Sequence, residues 1–334
     1  MRIKYFLSVV FAIYLLQCKH SDTQYILNEG KIFGTYYHIK YKNPNGKNLK
    51  ATIEQKLQEF NASLSTFEPN SIISRINQND PSVNTDTYFE DMYRMAYQVS
   101  EKTGGAFDIT VAPLVNAWGF GYGKLEHTTL PNVDTILPYI GYKKISLTNH
   151  KLLKESPKTL LDASAIAKGQ GVDVIAQLLD NNGCINYMVE IGGEVRCKGV
   201  NPNREKWHIG IDAPQDDPTN ENRTLETIVA ISNVGMATSG NYRQYYYKNG
   251  KKYAHTINPH TGMPVQHHLL SATVIAPTCM EADAFATAFM VLGTEQSIAV
   301  CKSIPQLDCY LIYADKNGQI KTRYTSGFEQ YFVK

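Results

Sequence analysis

The sequence contains no Lys/Arg run longer than the pairs Lys143-Lys144 and Lys251-Lys252, and its 33 basic and 31 acidic residues leave a formal charge of only +2. Nucleic-acid binding needs a concentrated basic patch or stripe, so that class is excluded. The longest apolar run near the start, Tyr5 to Leu16, is too short to span a bilayer. Internal repeats and low-complexity linkers are absent, which excludes solenoids and arrays. The six cysteines include no C-x-x-C pair, so neither a zinc ribbon nor a dense disulfide framework fits. The stretch LDASAIAKGQGVD at Leu161 holds Gly169 and Gly171 but lacks a third glycine. Its glycines also fall inside a helical pattern rather than before it, which argues against a Rossmann fingerprint.

What is present is a chain of 334 residues with 43% hydrophobic content, enough for a substantial core. Arg2 and Lys4 precede the apolar run, and polar sequence follows it at once, the pattern of an export signal. The run ends in Leu15-Leu16-Gln17-Cys18, similar to a bacterial lipobox in which the cysteine is lipidated and becomes the mature N-terminus. Gln17 is unusual at that position, and plain secretion is the alternative. The division is therefore residues 1–18 as signal, 19–24 as tether and 25–334 as one domain. The remaining cysteines, Cys184, Cys197, Cys279, Cys301 and Cys309, read as small buried hydrophobes, the exported location permitting one disulfide.

Helical patterns run over Thr52–Leu64, Phe89–Thr103 and Ala165–Leu179, with Gly104 and Gly183 placed to end helices. Strand-like runs are Tyr187–Ile191, Trp207–Ile211, Thr227–Ser232, Leu270–Ala276 and Cys309–Tyr313; Asp315-Lys316-Asn317-Gly318 then turns the chain into Gln319–Tyr324. Strands cluster instead of alternating with helices. The predicted class is α+β, with antiparallel or mixed sheets and packed helices.

Four stretches carry more glycines, carboxylates and hydroxyls than a core needs. In TGGAFDITVAPLVNAWGFG at Thr103, paired glycines release a helix and put Ala106, Phe107 and Asp108 on a tight exposed connection; the plain alternative is a helix cap followed by a core strand. In LDASAIAKGQGVD, Asp162 precedes a helix begun by Ser164 or Ala165, and Lys168 lies about one turn in, near enough to meet an anion at the helix start. Gly169 and Gly171 permit close approach of another chain or a ligand. In EADAFATA at Glu281, Asp283 and Thr287 share a helix face, and with a nearby carbonyl they suit a hard cation such as Mg²⁺. The fourth runs from Met236 to Pro264, through Ser239-Gly240-Asn241-Tyr242 and HTINPHTG at His255. A histidine there could take a proton from a hydroxyl, and spacing alone does not choose among His255, His260, His267 and His268.

Taken in order, these blocks resemble the ApbE family of FAD:protein FMN transferases. The matching text is FGTYYHIKY at Phe33, LSTFEPNSIISRIN at Leu64, the Thr103 and Leu161 stretches, VEIGGEVRCKG at Val189, ATSGNYR at Ala237, HTINPHTGMPV at His255 and EADAFATAFMVLG at Glu281. The resemblance covers nearly the whole chain after the signal. It implies an enzyme of the bacterial cell envelope, often a lipoprotein facing the periplasm. Such an enzyme splits FAD and moves its FMN half onto a threonine or serine of a target such as an Rnf or sodium-pumping NADH:quinone reductase subunit, with Mg²⁺. It further implies FAD contacts at Phe33, where the family commonly has methionine, and at Phe67, Ala106, Phe107, Asp108, Asp162, Lys168 and Ile257. The implied metal ligands are the Ala165 carbonyl, Asp283 and Thr287. Some members carry a second aspartate where this chain has Ala286. His255, which opens its block, is the candidate base. The alternatives are hydrolysis of FAD to FMN and AMP, and a periplasmic FAD carrier without turnover.

Overall fold

The computed structural model describes residues 24–121, 130–214, 224–241, 245–248 and 250–333. The signal, Cys18 and Tyr242 lie outside them. The strands are β1 (Ile26–Ile32), β2 (Thr35–Tyr41), β3 (Ile145–Thr148), β4 (Lys151–Lys154), β5 (Tyr187–Ile191), β6 (Glu194–Lys198) and β7 (Trp207–Asp212). They continue as β8 (Leu225–Ile231), β9 (Val234–Gly240), β10 (Tyr245–Lys248), β11 (Lys251–Ala254), β12 (Leu269–Ala276), β13 (Asp308–Ala314) and β14 (Ile320–Tyr324). The helices are α1 (Lys50–Leu64), α2 (Ile72–Asn77), α3 (Thr87–Lys102), α4 (Ala112–Ala117), α5 (Ala167–Asn181), α6 (Cys279–Leu292) and α7 (Thr294–Ser303).

Eight strands form one sheet in the order β1-β2-β5-β6-β9-β12-β13-β14, and three two-stranded hairpins stand apart. Every neighbouring pair in the large sheet is antiparallel, which bears out the α+β expectation. Strand alternation sorts side chains to two faces. On β12 and β13, Ala272, Val274, Ala276, Cys309 and Leu311 turn toward the helices. Ile275, Tyr310 and Ile312 turn the other way, onto Trp207, Ile211, Val229 and Ile231 of the β7–β8 hairpin and onto Phe328. The sheet is thus the middle of three layers.

Helix sequences follow from the same burial. In α1, Ile53, Leu57, Phe60 and Leu64 recur at helical spacing and are buried; in α3, Phe89, Met92, Ala96 and Val99 do so behind an Asp86 cap that accepts from Phe89 N–H. Helix α6 is different: Ala282 through Ala286 and Ala288 through Val291 are all buried, so it is the central helix, wrapped on nearly every side. Ala286 lies in this apolar core. The five described cysteines are buried and free.

Candidate active site

Helices α5 and α6 bind each other's starts. Asp173 of α5 accepts hydrogen bonds from Cys279 N–H (3.0 Å) and Met280 N–H (2.8 Å), the first amides of α6. Asp283 of α6 in turn accepts from Gly169 N–H through Oδ2 at 3.0 Å, in the first turn of α5. Unpaired amides and the helix dipole favour a negative group at each start. The anion expected at the α5 start is therefore, in the first instance, Asp283 itself. Gly169 makes this approach feasible, because a Cβ there would lie 2.4 Å from the Cys279 carbonyl oxygen. A Cβ at Gly171 would meet the Phe33 ring at 2.8 Å. Both glycines thus admit other segments of the same chain.

Helix α5 begins at Ala167, two residues later than the pattern predicts. Asp162 does not cap it: its Oδ1 accepts from Ser164 N–H at 2.8 Å and closes the preceding turn. Because Gly169 N–H points to Asp283, it is withheld from Ala165, the partner a continuing helix would give it. Among the described residues the Ala165 carbonyl receives no backbone hydrogen bond.

Lys168, on the first turn of α5, places Nζ 2.8 Å from Glu194 Oε1 and 4.0 Å from Asp283 Oδ1. The Glu194 and Asp283 side chains are only 5% and 3% exposed, whereas that of Lys168 keeps 32%. Among the described residues Glu194 Oε2 is buried without a hydrogen-bond partner. Burial pushes the Glu194 carboxyl up to about 7, with Lys168 pulling it down and Asp283 pushing it up. Burial likewise raises Asp283, against Lys168 and the Gly169 amide. Burial alone would lower Lys168, but Asp283 and Glu194 more than offset it and hold the ammonium charged. Two buried carboxylates share one cation. Buried charge of this kind is paired or binds a metal.

The donors fit Mg²⁺. Asp283 Oδ1, the Thr287 hydroxyl one turn along α6 and the unclaimed Ala165 carbonyl are hard oxygens. Among the described residues no group of three His, Cys, Asp or Glu could hold a metal, so such an ion would be completed by water and phosphate. Thr287 Oγ1 lies 3.2 Å from Ser239 Oγ near the end of β9. Two residues on, Asn241 Oδ1 accepts from Thr256 Oγ1 at 2.6 Å. This chain of contacts brings His255, the neighbour of Thr256, to the same end of the sheet.

Two of the other candidate histidines, His260 and His267, have partners elsewhere. His260 Nε2 contacts the Gly104 carbonyl at 3.0 Å, and His267 Nε2 contacts the Met290 carbonyl at 2.8 Å while its Nδ1 accepts from Leu269 N–H. His255 is half-buried with its ring 6.4 Å from that of Phe120.

Phe33 and Gly34 form the two-residue turn between β1 and β2, with φ of 53° and 73°. A bulky residue at positive φ is a strained choice, and the ring it presents packs on Phe60 at 5.5 Å. Phe67 is the opposite case, a phenyl 76% exposed in the loop after α1. The exposed connection expected at Ala106, Phe107 and Asp108 is corrected: the three are 4%, 2% and 7% exposed. Gly104 and Gly105, at positive φ, turn the chain inward, and Phe107 joins the main core. Asp108 there organises its loop, accepting from Thr110 N–H, Thr110 Oγ1 and Tyr142 N–H. Ile257 is buried beside Leu114 and Trp118.

The pattern of the ApbE family matches residues 33–311. A Haemophilus influenzae protein named FAD:protein FMN transferase is 39% identical, over 97% of this chain and 96% of that one; a Vibrio cholerae protein of the same name is 36% identical over 91% and 92%. Among solved structures, the flavin transferase ApbE from Vibrio cholerae superposes with a TM-score of 0.82 at 34% identity, covering 92% of this chain and 99% of that one.

Proposed function

The chain belongs to the ApbE family, and from that membership we propose that it moves the FMN half of FAD onto a threonine or serine hydroxyl of a partner protein with the help of Mg²⁺. Its activity is FAD:protein FMN transfer. The acceptor oxygen bonds to the FMN-side phosphorus, the bond from that phosphorus to the bridging oxygen breaks, AMP leaves with the bridging oxygen, and the hydroxyl proton passes to a base. Mg²⁺, when bound, neutralises charge on the diphosphate. Asp283, Thr287 and the Ala165 carbonyl would hold it, Lys168 would steady the diphosphate, and His255 would take the proton.

The observation that carries this reading is Asp283: a buried carboxylate fixed by one oxygen to Gly169, with the other facing a lysine at 4.0 Å. A carrier that only stored FAD would have no use for such a group. The acceptors we propose are periplasm-facing subunits of Rnf-type or sodium-pumping NADH:quinone reductase complexes. Lipid anchoring at Cys18 is proposed from the signal-like N-terminal sequence.

The test is incubation of the protein with FAD, Mg²⁺ and such a subunit, followed by fluorescence on a denaturing gel. A fluorescent acceptor band that vanishes when the acceptor threonine becomes alanine supports the proposal. Unlabelled acceptor alongside released AMP points to hydrolysis, and neither product points to storage.

A further inference from the structure

Glu194 drew no role from the sequence, yet it sits at the centre of the charge arrangement. It is the first residue of β6, directly after the Gly192-Gly193 turn, whose register pairs Ile191 with Glu194. Both turn glycines have positive φ, 63° and 103°, the geometry of a tight two-residue hairpin. That turn packs against the lysine stem: a Cβ at Gly192 would lie 3.4 Å from Lys168 Cδ and 2.8 Å from Thr35. The hairpin therefore fixes the stem of Lys168 and delivers a carboxylate to its head.

Lys168 has two carboxylates to choose from and takes Glu194, at 2.8 Å against 4.0 Å for Asp283 Oδ1. We propose that Glu194 is a positioning residue that holds the Lys168 ammonium off Asp283 and so keeps Asp283 Oδ1 available to a divalent cation. This rests on the reading that Asp283 ligates the metal. Without Glu194, the nearest counter-charge for Lys168 is Asp283, and a lysine paired there occupies the position of a cation. Among the described residues the buried Glu194 Oε2 has no hydrogen-bond partner, which argues against a purely structural acid. A group serving only packing would be apolar or fully hydrogen-bonded.

The test is Mn²⁺ titration of the whole protein by the loss of free-ion EPR signal, with and without FAD and with no acceptor. Glu194→Gln, which keeps shape and removes charge, is expected to weaken Mn²⁺ by about 10–100-fold, the usual effect of losing a group that orients a ligand. The decisive variant is Lys168→Met with Glu194→Gln: removing the competing ammonium should return Mn²⁺ affinity to within a few fold of the parent. Glu194→Asp should fall between. Circular dichroism melts of each variant establish that it is folded. Wild-type affinity in Glu194→Gln, or no recovery in the double variant, overturns the proposal. If the parent protein itself binds no Mn²⁺ with FAD present, the metal reading of Asp283 has failed instead.

Discussion

Gly169→Ala probes the α5–α6 contact on which the site depends. The new Cβ would sit 2.4 Å from the Cys279 carbonyl oxygen and 2.8 Å from Asp283 Cβ. Neither neighbour is a flexible side-chain tip, and α6 is buried on nearly every side, so the helices must separate by about 1 Å to restore ordinary contact. Alanine gains about 1 kcal/mol of helix propensity over glycine. Against this stand overpacking, about 1–3 kcal/mol, and the Gly169 to Asp283 bond, which from 3.0 Å stretches beyond hydrogen-bond range and costs about 1–3 kcal/mol when a buried partner is left behind. The net expectation is about 1–5 kcal/mol of destabilisation, a fall in Tm of about 2–8 °C for a chain of this size, with weakened Mn²⁺ binding. Gly171→Ala crowds the Phe33 ring at 2.8 Å and meets Phe60 only at ordinary contact, 3.5 Å, and should instead lower FAD affinity with a smaller change in Tm. Thermal melts and Mn²⁺ titrations of both variants check this. An unshifted Tm with normal metal binding in Gly169→Ala would refute the claim that the close helix approach builds the site.

Asp283→Ala should reduce acceptor labelling by at least about two orders of magnitude while changing FAD affinity far less, because a metal held by Asp283, as proposed, would act on charge developing in the transition state; equal losses in rate and affinity would count against it. His255→Ala should keep FAD binding, measured by fluorescence quenching, and lose at least about 100-fold in the initial rate of labelling; a near-normal rate removes it from the mechanism. Cys18→Ser should release a soluble form in cell fractionation, and a variant still carrying lipid in the membrane contradicts the anchor. Burial lowers His267 first of all, while its contact with the Met290 carbonyl pulls the other way. Its neutral form, with Nδ1 accepting from Leu269 N–H, thus adds stability above the unfolded pKa of about 6.5 that is lost as pH falls below it. His267→Gln should flatten the decline in Tm between pH 7 and pH 5, and an unchanged slope would rule this out.

The sequence is most legible where one face is buried. Strand β5 runs from Tyr187 to Ile191 as its alternation predicts, and α1 and α3 are found within two residues at either end. The β1–β2 hairpin is hard to read because its turn is Phe33-Gly34 rather than the Asn-Gly that marks such turns. Helix α6 shows little periodicity because it is buried nearly all round; Asp283 and Thr287 are still legible through their spacing of four. Asp108 looks exposed because paired glycines precede it and is buried, since Thr110 N–H and Oγ1 in its own loop and Tyr142 N–H from further along the chain satisfy it. Glu194 is missed for a different reason. Its partner Lys168 is 26 residues away, and only the sheet brings them together. The one available signal is a carboxylate directly after Gly192-Gly193, at the inward register of a strand.

The central claim is that one FMN moves intact from FAD to one hydroxyl. Intact-mass spectrometry of an Rnf-type acceptor subunit, taken alongside AMP quantified from the same reaction, tests it most directly. The account predicts acceptor mass rising by one FMN less one water, AMP appearing in equal amount, and both ceasing with EDTA. AMP accumulating while the acceptor mass stays unchanged would contradict it.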